Sequence, residues 1–360
     1  MEVGRGFINI YRTLQFFLYR RHRLGEMPPG IRCQLEHFRY DENHGDIVHP
    51  CVRYLEDGFE GHHWWMVYTP YYNGQASMEN PILCYSDSAE KMPPNKWRFY
   101  ALVSEKPKDG YNSDPTLFYK DGSLYVLWRE NVSQNKTNYP YSRATFLAKV
   151  ENGKVIRHNT PLLIAEQEPV DPECCPSIMK DSEENVIAYA MHLRFFSPKI
   201  RSLKGLLRKV VEKITLLLDF AGIYSQQKSY GIAIWKGDKE LNRPFRYFKT
   251  VKFKNKNPLY RPWHMDFFDY KDRRYAIVQT NQCNADICLA WSLDKENFTF
   301  YNKPLITNNT INAVGIYKPC AGVINNTFYL YYTAQQLSDR RKNELFLTTC
   351  EFKELISKIE

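Results

Sequence analysis

The sequence predicts an all-β fold, a five-bladed β-propeller, and three observations carry that prediction. A short pattern recurs five times: a Pro- or Asp-marked opening, an apolar strand, a turn, then a Tyr- and Trp-rich strand ending in a polar cluster. The openings fall at 49, 114, 175, 264 and 318, so successive copies lie 65, 61, 89 and 54 residues apart. Repeats of that length, each holding several short strands, are what radial repetition of four-stranded sheets requires. Aromatic residues form 15% of the chain, with 26 Tyr and 21 Phe, while Gly and Pro punctuate the apolar runs as in all-β proteins.

The copies can be followed in order. The first runs from His49-Pro50-Cys51-Val52 through Trp64-Trp65-Met66-Val67-Tyr68-Thr69 to Ile82-Leu83-Cys84-Tyr85. The second opens at Asp114-Pro115-Thr116-Leu117, continues at Leu124-Tyr125-Val126-Leu127-Trp128 and closes at Thr145-Phe146-Leu147-Ala148. The third joins Cys175-Pro176-Ser177-Ile178 to Val186-Ile187-Ala188-Tyr189 and Tyr230-Gly231-Ile232-Ala233. The fourth joins His264-Met265-Asp266-Phe267 to Tyr275-Ala276-Ile277-Val278 and Ile287-Cys288-Leu289-Ala290. The fifth joins Lys318-Pro319-Cys320-Ala321 to Phe328-Tyr329-Leu330-Tyr331 and Leu345-Phe346-Leu347.

Only the third interval is long, and a helical stretch from Lys199 to Phe220 occupies the excess. It reads as an insertion within the third blade, so one propeller domain is expected over 41–360, behind an N-terminal basic amphipathic segment over 1–40. In that segment Phe7, Ile8, Ile10, Tyr11, Leu14, Phe17 and Leu18 recur at helical spacing and run into Arg20-Arg21-His22-Arg23. In the insertion Leu203, Leu206, Leu207, Val210, Val211, Ile214, Leu217 and Leu218 form an apolar face opposed by Arg201, Lys204, Arg208, Lys209 and Lys213. Both have the profile of interfacial helices, and a formal net charge of +9 adds attraction to an anionic membrane surface. The alternative is that each helix packs on the propeller rim or on a partner chain.

No apolar run is long enough to span a bilayer, and the N-terminus lacks the continuous apolar core and cleavage site of a secretory signal. The expectation is a cytoplasmic protein, peripheral at the inner face of the membrane, with its nine Cys reduced. The adjacent Cys174-Cys175 lacks a Cys-x-x-Cys partner and reads as buried small apolar residues. No nucleic-acid-binding motif or basic-aromatic groove accompanies the positive charge, so nucleic acid is not expected as a partner. No cofactor or metal is expected.

The chemistry of a propeller lies at one mouth of its channel, where the innermost strands begin. The openings here are polar: Asp46 and His49, Asp114, Asp171 and Glu173, His264 and Asp266, Tyr317 and Lys318. Second strands add Arg129, Glu130, His192 and Arg194, and Trp263 offers a stacking surface for a sugar. Converging carboxylates with His and Arg suit glycosyl transfer: one group protonates the leaving oxygen, another activates water or attacks, and donors hold hydroxyls. A turn-capping Asp before Pro and a satisfied buried His-Asp pair are the structural alternatives.

Ser113-Asp114-Pro115-Thr116-Leu117-Phe118 and Glu173-Cys174-Cys175-Pro176 resemble motifs of the five-bladed propeller glycosidase superfamily of arabinanases, β-xylosidases, invertases, levansucrases and mannoside phosphorylases. The resemblance implies a glycan-active enzyme in which Asp114 orients the sugar and tunes the acid and Glu173 is the acid. His49-Pro50 stands where that superfamily places Asp-Pro, so Asp46 or Glu130 would have to supply the second carboxylate. His49, Arg129, Arg194, Trp263, His264, Asp266, Tyr317 and Lys318 are the expected carbohydrate-binding residues. Three readings stay open: a hydrolase or transferase acting on a polysaccharide or lipid-linked precursor, a phosphorylase drawing phosphate to Arg129, Arg194, His264 and Lys318, and a non-catalytic carbohydrate-binding propeller.

Overall fold

Period-two alternation gives each repeat one hydrogen-bonded edge after another, and the first and second strands of each blade, joined by short turns, pair antiparallel. At two such turns, Asp121-Gly122 and Asn152-Gly153, both residues have positive φ (50° and 75°, then 51° and 75°), the geometry that matches the twist of a tight hairpin. The computed structural model describes residues 27–360 except 29, 37–45, 133–140, 165–171, 182, 255–261, 281–285, 308–312, 314 and 336–341; within 193–230 it describes Gly205, Leu207, Val210 and Ile214.

Two short strands come first, β1 (Ile31–Arg32) and β2 (Gln34–Glu36). Blade one then holds β3 (Ile47–Phe59), β4 (His62–Pro70), β5 (Ile82–Ser86) and β6 (Lys96–Leu102), with β2 added parallel to β6. Blade two holds β7 (Gly110–Lys120), β8 (Ser123–Val132), β9 (Arg143–Glu151) and β10 (Lys154–Arg157), with β11 (Leu163–Ile164) also on β9. Blade three holds β12 (Pro172–Lys180), β13 (Val186–His192), β14 (Gly231–Lys236) and β15 (Arg246–Thr250). Blade four holds β16 (Lys252–Lys254), β17 (Pro262–Tyr270), β18 (Arg273–Thr280), β19 (Asp286–Ser292), β20 (Asn297–Phe300) and β21 (Ile306–Thr307). Blade five holds β22 (Gly315–Ile324), β23 (Thr327–Gln335) and β24 (Asn343–Glu351), and β1 is its fourth strand.

The fold is therefore the expected five-bladed propeller, with differences at both ends. Residues ahead of position 40 belong to it, because β1 pairs with β24 and β2 with β6, and Met27 is buried in the core. A C-terminal helix that the repeats did not signal, α1 (Phe352–Ile359), buries Phe352, Leu355 and Ile359 against Phe268, Tyr275 and Phe328 between blades four and five. Each such side chain contributes about 1.5–3 kcal/mol when fully buried. The basic helix expected over 1–26 lies outside the described residues. The insertion does fall between β13 and β14, and its described residues are helical, with Leu207, Val210 and Ile214 exposed.

The innermost strands β3, β7, β12, β17 and β22 pack in ring order around the channel, and four apolar clusters fill the wedges between blades. Deep in the channel, side chains stitch the ring together. Arg53 on β3 donates to both Asp266 carboxylate oxygens, at 2.9 and 2.7 Å, and Ser177 on β12 donates to the same carboxylate at 2.8 Å. The Ala321 N–H of β22 adds a contact at 3.3 Å.

Candidate functional site

Each innermost strand breaks its register near its start, between Val48 and Cys51, Ser113 and Thr116, Cys174 and Ser177, Pro262 and His264, and Tyr317 and Cys320. In four blades a proline lies inside the break (Pro50, Pro115, Pro176 and Pro319), whereas in β17 the paired Pro262 stands at its edge. Proline cannot donate to a ladder, so inside a sheet it is tolerated at a bulge, and a bulge re-aims the neighbouring side chain. In three blades the residue before that proline carries a left-handed backbone: His49 (φ 58°), Asp114 (53°) and Lys318 (31°). A residue preceding proline is normally extended. Strain of about 1–3 kcal/mol at each such position persists only where the surroundings enforce it, and it clusters at functional sites.

The re-aimed side chains meet at one mouth of the channel. His49 Nε2 lies 3.1 Å from Asp114 Oδ1, and the His49 and His264 ring centroids are 5.2 Å apart. Tyr317 stands 4.6 Å from the His264 ring and 5.2 Å from the His49 ring, and the Trp263 indole N–H points to the Tyr317 hydroxyl at 3.4 Å. His49, Asp114, His264 and Lys318 are buried, whereas Trp263 and Tyr317 are partly exposed. Two partly exposed aromatic side chains thus stand beside buried polar groups at this end of the channel.

Two residues tie down the floor. Arg129 pairs with Asp114 Oδ2 at 2.5 Å and donates to Ser113 Oγ at 3.2 Å; that hydroxyl in turn donates to Asp114 Oδ2 at 3.1 Å. Glu79, which the repeats gave no reason to select, is buried and reaches His49 Nδ1 at 3.0 Å, beside Thr69 Oγ1 at 3.0 Å. Burial pushes the Glu79 carboxyl up, with the adjacent His49 opposing the shift. Burial also drives His264 well below the ordinary histidine range, so this imidazole is neutral at pH 7. Neither His264 ring nitrogen has a hydrogen-bond partner, and His49 Nε2 likewise makes no well-directed hydrogen bond despite its closeness to Asp114. One donor atom each from His49, Asp114 and His264 can be chosen so that all lie within 4.8 Å of one another.

Other expected site residues have partners of their own. Asp266 lies deeper, in the Arg53 and Ser177 network; burial alone would raise its carboxyl, but the guanidinium and the hydroxyl outweigh burial and hold it below the usual range. Glu130 accepts from Tyr141 at 2.9 Å and from Arg157 at 3.1 Å, on the face of β8 opposite Arg129, because neighbouring residues of a strand point to opposite faces. Asp46 accepts the Asn343 N–H at 2.8 Å, which joins the start of β3 to β24. Both candidates for a second catalytic carboxylate thus have partners in the surrounding frame. Lys318 Nζ donates to the Pro115 carbonyl at 3.0 Å and its backbone N–H to Gln279 Oε1 at 2.8 Å, so it bridges blades two, four and five at the mouth. Glu173 belongs to β12 but its side chain lies outside the described residues, as do Asp171 and Arg194 entirely.

No protein-family model matches the chain, and no curated protein sequence does. Solved structures do match. An N-acetylgalactosamine deacetylase from F. plautii, in complex with blood group B trisaccharide, is 14% identical with a TM-score of 0.63, over 92% of this chain and 97% of that one. An α-L-arabinanase from Cellvibrio cellulosa, complexed with arabinohexaose, is 14% identical with a TM-score of 0.54, over 88% of this chain and 98% of that one. A GH43_1 enzyme from Xanthomonas citri, complexed with xylotriose, is 12% identical with a TM-score of 0.54, over 85% and 87%. At such identities the likeness is one of fold: this chain is built as a five-bladed propeller like those carbohydrate-active proteins.

Proposed function

We propose that the protein is a glycan-active enzyme, a hydrolase that works on a sugar residue held against Trp263 and Tyr317. The observation that carries this reading is the convergence of His49, Asp114 and Lys318, each on strained backbone before a proline, with His264 on one channel mouth. A frame alone has no use for that strain. The neighbours in fold include proteins complexed with arabinohexaose, xylotriose and a blood-group trisaccharide, which supports a carbohydrate as the ligand of this mouth.

Cleavage of a glycosidic bond needs two carboxyl groups flanking it. In that chemistry Glu173 would donate the proton and Asp114 orient the sugar, and the base or nucleophile would have to come from Asp46 or Glu130. A second reading, removal of an acyl group from a sugar, is favoured by a specific observation: His49 occupies the first opening, and Asp46 and Glu130 are both committed to the frame. The phosphorylase reading is weakened by the engagement of Arg129 with Asp114 and Ser113. A glycan panel with and without acetyl substituents separates the readings. New reducing ends indicate glycosidic cleavage, free acetate indicates deacylation, and phosphate-dependent turnover indicates phosphorolysis; binding without any product sinks the enzyme reading.

The reaction is proposed to run in the cytosol near an anionic membrane surface, on a polysaccharide or lipid-linked precursor. Support comes from the exposed Leu207, Val210 and Ile214, spaced three and four residues apart on a helix. Deleting 199–220 should leave a folded propeller that sediments less with anionic vesicles. Unchanged sedimentation removes the membrane placement.

A further inference from the structure

The geometry points to a divalent transition-metal site at the mouth, with His49 Nε2, Asp114 Oδ1 and one ring nitrogen of His264 as its protein ligands. Three features of the arrangement carry this. The first is proximity in a buried place: donor atoms of these residues lie within 4.8 Å of one another. Two ligands on opposite sides of an ion with bonds of about 2.1 Å are about 4.2 Å apart, so the set closes around an ion with side-chain movements of a fraction of an ångström.

The second is the surrounding shell. A metal-binding imidazole usually gives its other nitrogen to a carboxylate or carbonyl, and ligating carboxylates are themselves hydrogen-bonded. Here Glu79 and Thr69 hold His49 Nδ1, which turns Nε2 toward Asp114 Oδ1. On the other ligand, Arg129 and Ser113 hold Oδ2. Two nearby cations have partners, Arg129 at that oxygen and Lys318 Nζ at the Pro115 carbonyl.

The third is an unmet requirement. His264 is 1% exposed and both of its ring nitrogens lack a partner, although a buried polar atom left unsatisfied costs about 1–3 kcal/mol. His49 Nε2 shares the condition: it is 3.1 Å from a carboxylate oxygen, yet its ring direction makes no hydrogen bond to it. A cation between the three would engage His49 Nε2 and one ring nitrogen of His264 at once. Two nitrogens and one oxygen select a first-row transition ion over calcium or magnesium, which take oxygen ligands. Three protein ligands leave a position for water or substrate, the mark of a reactive rather than a purely structural metal.

Metal binding reads this site directly, apart from any glycan. The protein, stripped with chelator, is titrated with Co2+, with Zn2+ in competition and Ca2+ as control. One Co2+ per chain is expected, with visible ligand-field absorption that Zn2+ removes. Asp114→Asn and His264→Ala should each weaken binding at least about a hundredfold, and Glu79→Gln about 10–100-fold by loosening His49. His63→Ala should change nothing, since its ring packs on Tyr54 and bonds the Leu55 carbonyl. Absence of Co2+ binding, preference for Ca2+, or Co2+ binding that survives both ligand substitutions overturns the site. If a variant fails to fold, Co2+-induced shifts of the His49 and His264 ring protons in the wild type decide, and unshifted signals overturn it. Co2+ bound as expected with no glycan turned over counts against the proposed function and leaves the metal site standing.

Discussion

The channel contains two polar clusters built by the same innermost strands, and they differ in how completely they are satisfied. In the deep cluster every oxygen of Asp266 is used, by Arg53, Ser177 and the Ala321 N–H. At the mouth His264 has two unmet nitrogens, and His49, Asp114 and Lys318 sit on backbone that folding alone would avoid. Asp266 is only two residues beyond His264 on β17. A polar group that gives all its valences to the protein holds the blades together; one that keeps some back is set for something that arrives later.

That contrast can be broken most sharply at its deep end. Asp266→Ala should cost about 3–5 kcal/mol in denaturant unfolding, because it leaves the Arg53 guanidinium in the channel without its partner. A loss below about 1 kcal/mol would mean that the deep cluster is not a stabilising strut. At the mouth the pattern should invert. His264→Met should lose at least about a hundredfold in turnover on an identified glycan while thermal stability holds or rises, since it removes two unsatisfied buried nitrogens. A large fall in melting temperature with turnover intact would make His264 part of the frame.

A third test uses pH. Burial lowers His192 to about 4, from 6.5 when unfolded, so its contribution to stability is present above 6.5 and is lost as pH falls from there toward about 4. Asp266, held below its ordinary 3.8, is retained through that whole range and loses its contribution only under more acid conditions. Unfolding free energies between pH 7 and 4 should therefore fall less steeply in His192→Gln, while Asp266→Asn leaves that part of the profile parallel to wild type. The smallest effect is expected at Glu130, whose pairing with a partly exposed Arg157 is worth about 1 kcal/mol. Glu130→Gln should keep turnover within about twofold, and a hundredfold loss would return it to the catalytic set.

Four openings with their prolines were legible in the sequence because proline in an inner strand has to sit at a bulge, and the bulge is what turns a side chain into the mouth. His49, Asp114 and Lys318 follow from that rule, and His264 was legible as the polar opening of the fourth repeat. Asp266 did not, since alternation puts it on the same side of β17 as His264 while saying nothing about depth along the channel. Strand alternation could have separated Arg129 from Glu130, which are neighbours and must face opposite ways. Glu79 carries no signal at all: it follows the short 3-10 turn Ala76–Met78 in the connection between β4 and β5, and only the folded chain brings it to His49. Two-residue β1 is too short for any periodicity, so the sequence alone put the domain boundary too late.

That short strand has a consequence for how the molecule is made. Ile31 finds its partner at Leu347, so the last blade is completed by nearly the first residues of the propeller to leave the ribosome. Until synthesis reaches β24 the nascent chain carries an unmatched edge at each end of a growing arc, and non-local pairing of this kind is slow and exposed to mispairing. Ring closure therefore waits for the last strand, and a ribosome stalled before β24 holds an open arc with its seam unsealed.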